Sequence, residues 1–110
     1  MSDKPEKISR QQVFTLLVQV GRKPDDGLPA KATGGALLCY ASGVDEAEAV
    51  RETVAILKQA DLAVLEVEGH GTLEEQKAAG VEFGEEDEAL MERALSENSV
   101  IVAQMTPFFD

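Results

Sequence analysis

His70 is the single histidine of the chain, set between two glycines in the run Glu66-Val67-Glu68-Gly69-His70-Gly71-Thr72-Leu73-Glu74-Glu75. An imidazole titrates near neutral pH and nearby carboxylates favour its charged form, so His70 with Glu68 or Glu74 can act as a general acid or base. The same residues can contribute to a His-carboxylate metal site. On a strand, Glu66, Glu68 and His70 share one face, which gives the grouping a geometric basis. The competing reading is a turn histidine in solvent, because no second histidine and no ligand spacing accompanies it.

Cys39 is the other residue with reactive potential. It lies inside the apolar run Ala36–Ala41, which predicts a packed, inert thiol, since a nucleophilic cysteine needs a base or a helix N-terminus to lower its pKa. A lone cysteine excludes an internal disulfide and any CxxC zinc site, and a lone histidine excludes HExxH. Neither GxGxxG nor GxxxxGK[ST] occurs, so no cofactor and no metal is expected. Ser42-Gly43-Val44-Asp45 precedes a helix, but Asp45, Glu46 and Glu48 already fill the positive field that an anion would use.

A third set of candidates lies between Gly21 and Gly35, where four glycines and two prolines in fifteen residues allow no regular element. This long loop gathers Arg22, Lys23 and Lys31, which can clamp an anionic small molecule or a partner's acid. Elsewhere acids prevail: 10 Lys and Arg stand against 21 Asp and Glu, a net charge of −11. Such a field repels nucleic acid and anionic membranes, so neither is expected as a partner, whereas a basic protein or cationic ligand remains compatible. The sequence has no apolar run of membrane-spanning length and no signal-peptide core at its start, and the expected location is cytoplasmic.

The elements that must position these residues follow from periodicity. Residues 1–10 read as a mobile lead-in and 11–110 as one α+β domain. The run 13–20 alternates as a strand with one very apolar face, and 36–41 is continuously apolar, as a central strand should be. Asp45 with Glu48 opens a helix over about 45–60, with Ala47, Val50, Val54 and Leu57 as its stripe. Strand 62–68 follows, then the Gly69-His70-Gly71 break and a short helix from Thr72 to Gly80, capped by Thr72 and Glu75. Val81–Phe83 reads as a brief edge strand. The four acids Glu85–Glu88 open a last helix that ends near Asn98, before strand 100–106.

The order predicts a two-layer sandwich: ferredoxin-like βαββαβ with an added N-terminal strand, and two helices on one face of a four- or five-stranded sheet. Helices on one face would leave the other bare. Val13, Leu17, Val100 and Val102, joined by the terminal Phe108 and Phe109, would then form an apolar association surface. The resulting expectation is a homodimeric, non-enzymatic binding module for a protein or small ligand. Its rivals are a small enzyme or metal-dependent protein built on His70 and nearby glutamates, and an acidic inhibitor of a basic target.

Overall fold

The computed structural model describes residues 11–24 and 26–109, so the expected lead-in at 1–10 lies outside the described residues. Within them the chain is α+β, with four strands and three helices in the order β1 (Gln12–Val20), β2 (Gly34–Gly43), α1 (Glu46–Gln59), β3 (Val64–Thr72), α2 (Leu73–Ala78), α3 (Glu85–Glu97) and β4 (Val100–Phe108). The strands form one antiparallel sheet in the order β3-β1-β2-β4. The ferredoxin-like order is not observed. It would need two strands between the two long helices, but Val81–Phe83 forms no strand and β3 is the only strand between α1 and α3.

The two central strands set the architecture. Pairing of Phe14 with Ala41, Leu16 with Cys39 and Val18 with Leu37 puts these side chains on one face, where they join Ala49 and Leu57 of α1 in the larger core. Alternation sends Val13 and Tyr40 to the opposite face, where Met91 and Ala94 of α3 bury them. The helices therefore cover opposite faces of the sheet, which corrects the expectation of two helices on one face. The physical reason lies in β2: its run is apolar at odd and even positions alike, so both faces need a cover.

Local chemistry holds the helices as the sequence indicates. The Asp45 carboxylate accepts from the Glu48 backbone N–H, while Glu48 reaches back one residue further than a capping box requires and accepts from Val44 N–H. Thr72 and Glu75 make the full reciprocal box. The stripe of α1 is rotated from the one expected: Ala49, Thr53 and Leu57 are buried, whereas Ala47 is exposed.

Thr53 is completely buried and its hydroxyl has no hydrogen-bond partner among the described residues. Valine keeps the branched shape and removes the unsatisfied polar atom. Thr53→Val is therefore expected to raise unfolding stability by about 1 kcal/mol, read from denaturant midpoints at unchanged slope. A loss of stability would show that the hydroxyl is satisfied in solution.

Candidate functional site

The histidine cluster is assembled only in part. β3 continues through Gly69 and His70 to Thr72 and does not break there, because Gly69 pairs with Leu16 and Thr72 with Phe14 across a register shift. Gly71 takes φ +92, a conformation suited to glycine. At Gly69 an added Cβ would sit 2.5 Å from a carboxylate oxygen of Glu46, an exposed side chain free to swing aside. His70 Nε2 lies 3.9 Å from Glu68 Oε1, with both side chains largely in solvent. Glu74 stands apart at the start of α2, where it lines a cavity of about 220 Å³ with Gln11, Gln12, Val13, Thr72, Leu73 and Leu95. Among the described residues no group of three or more His, Cys, Asp or Glu side chains is placed to hold a metal ion. Cys39 is fully buried, and burial pushes its thiol up to about 11.

The 21–35 loop is organised from within. The Asp26 carboxylate accepts from the backbone N–H groups of Lys23 and Leu28 at 2.9 and 3.0 Å and from Arg22 Nε at 3.0 Å. Arg22 also donates to the carbonyls of Pro29 and Ala32. Its guanidinium is thus committed to folding the loop, which drives Leu28 and Ala32 into the larger core. Lys23 and Lys31 remain exposed. A shallow depression beside them is lined by Arg22, Lys23, Pro24, Ala30 and Ala32.

The Leu28 N–H, then the Arg22 side chain and the Lys23 N–H, lower the Asp26 pKa from 3.8 to about 2. A carboxylate whose pKa is depressed by folding contributes stability that is full above its unfolded pKa and is lost as pH falls through its folded one. Asp26→Asn is accordingly expected to lower the melting temperature by a constant amount above pH 5. The gap to wild type should close between about pH 4 and pH 2. A gap independent of pH would contradict the assignment.

The remaining candidates meet at one edge of the sheet. β3 and β4 are the two edge strands, and they differ in chemistry: β3 carries Glu66, Glu68 and His70, whereas no charged residue occurs from Val100 to Phe109. Eight large apolar side chains are exposed among the described residues, and five of them, Ile56, Val102, Met105, Phe108 and Phe109, follow β4 or the flank of α1 beside it. Val102 and Met105, 45% and 44% exposed, pair with Cys39 and Leu37 and so lie on the face that α1 covers only over the inner strands. Ala103 is an extra residue between the Val102 and Gln104 pairings, a bulge in the edge.

The interface residues expected from sequence therefore divide. Val102, Phe108 and Phe109 are at the exposed edge. Val13 is 6% exposed beneath α3, Val100 packs against the larger core, and Leu17 is half-buried. The bare apolar face is corrected to an apolar edge, because α3 supplies the missing cover. Ile56 and Met105 were not singled out by sequence reasoning. The signal for Ile56 was an apolar residue off the buried stripe of its helix.

These features describe a small α+β sheet protein with one charged edge and one uncharged, apolar edge. The chain belongs to the family described as Domain of unknown function (DUF8846), which matches residues 13–109. No curated protein and no solved structure matches it.

Proposed function

We propose that the chain is a cytoplasmic, non-enzymatic interaction module that works as a homodimer through its C-terminal strand. The observation that carries this reading is the concentration of exposed apolar side chains along β4, in a strand without charge, on a chain of net charge −11. Apolar surface gathered in one place marks association sites, and like-charged copies meet most easily where acids are absent. Binding of a further protein or small ligand at the 21–35 loop rests on Lys23 and Lys31, since Arg22 holds the loop itself.

The test is the mass of the particle by light scattering for wild type and for the Phe108→Ser, Phe109→Ser double variant. Wild type is expected at twice the 11.8 kDa chain mass and the variant at the single mass. A wild-type monomer at every concentration would overturn the reading. The alternative, a small enzyme or metal-dependent protein centred on His70, draws on the 3.9 Å approach of Glu68. It requires His70→Ala to abolish activity, and its metal-dependent form requires the His70 NMR signals to respond to Zn²⁺ or Mn²⁺; the proposed module requires neither.

A further inference from the structure

Resting on the dimer reading, we infer that the second copy adds edge to edge, with β4 of each copy pairing antiparallel to β4 of the other in one continuous eight-stranded sheet. An edge strand presents a row of unpaired backbone N–H and C=O groups, and pairing with an identical strand satisfies both rows about a two-fold axis. The two edges of this sheet are not equivalent. Glu66 and Glu68 on β3 would set like charges against those of a second copy, whereas β4 has none to oppose. Pairing through one edge only closes at two copies, and Pro107, together with the Ala103 bulge, keeps the pairing run short.

The side chains fit the same arrangement. Val102 and Met105 lie on the α1 face of the sheet, so a two-fold axis normal to the sheet brings them beside the corresponding pair of the other copy, with Ile56 of each α1 as a flank. The charges at the two ends of β4 are complementary. Near its start, Glu48 and Glu52 line a small cavity with Ile56 and Val100. At its end, Thr33 donates from its backbone N–H to the Phe108 carbonyl at 2.8 Å, which ties down the loop that carries Lys31. Antiparallel pairing turns the acidic end of each copy towards the basic end of the other. A stack of the second faces would instead bring the glutamates of β3 into the contact. These observations favour a second copy over a foreign chain as the occupant.

Spin labels placed singly at Gln104→Cys on β4 and at Glu66→Cys on β3 test this, with the buried Cys39 left unlabelled. In the edge-paired dimer the Gln104 labels are near neighbours across the axis, and the two β3 strands stand seven inter-strand spacings apart, about 34 Å. Short Gln104 distances with long Glu66 distances support the inference. A dimer in which the Glu66 labels are as close as the Gln104 labels, or closer, overturns edge pairing and leaves the dimer standing. The absence of any intermolecular distance, with a monomeric mass, overturns both. A complex formed only with a foreign protein on β4 also overturns the inference.

Discussion

Replacing Met91 with alanine is expected to destabilise the protein by about 2–5 kcal/mol, the range for emptying a fully buried methionine site. Met91 has no exposed surface and joins Val13, Tyr40 and Ala94 in the core of the second face. That core is small, and α3 is tied to it by the Tyr40 hydroxyl, which donates to Asp87 Oδ1 at 3.0 Å. Burial, with the Asp87 carboxylate beside it, pushes the Tyr40 hydroxyl up to about 12, so it keeps its proton and its role as donor across the physiological range. Few other contacts can compensate for the lost volume. Leu95→Ala on the same helix, where the side chain is 40% exposed, is expected to change stability far less. Denaturant unfolding of both variants gives the comparison. Equal and small effects would mean that α3 is loosely docked and that the second face is open after all.

Replacing Val102 with lysine is expected to halve the particle mass while leaving the fold intact. Val102 is 45% exposed, so a lysine there meets solvent in the monomer and costs little. In the proposed dimer it would bring a second ammonium close to the first and place both on apolar surface, without the burial that drives association. Gln19→Lys makes the same change of charge on an exposed position of the opposite face. It should leave the mass unchanged. Sedimentation of both variants with their circular dichroism spectra checks the pair, and a dimeric Val102→Lys protein would remove β4 from the interface.

Much of the fold was legible because its signals are local. The continuous apolar run at 36–41 marked the central strand, and the reciprocal pair Thr72 and Glu75 marked a helix start with a capping geometry the structure reproduces. Asn98 ends α3 in a left-handed conformation, near the end expected for that helix. What local pattern could not supply was the side of the sheet on which each helix packs. Tyr40 and Cys39 are neighbours in sequence on opposite faces, and their run calls for cover on both without saying which helix supplies which. The length of β3 was also hidden. Gly69 and Gly71 read as breakers, yet one lies against the Glu46 carboxylate and the other takes a positive φ within the strand.

The candidate site was legible as a set of residue types more than as a place. Phe108 and Phe109 signalled an apolar end that needed a partner, and the structure puts them at the exposed end of the same uncharged strand that carries Val102 and Met105. Arg22 looked free by composition. Only the fold of the loop around Asp26 shows its donors to be committed. Ile56 escaped notice because it lies on neither the expected stripe of α1 nor the buried one, and only the fold shows that it flanks the start of β4.

Hydrogen exchange of the native protein at low and high concentration tests the proposed use of β4 most directly, because it reads the edge strand without altering it. The amides of Val100–Thr106 that face away from β2 should gain protection as concentration rises, while those of β3 exchange at an unchanged rate. Exchange along β4 that is equally fast at both concentrations would contradict the account.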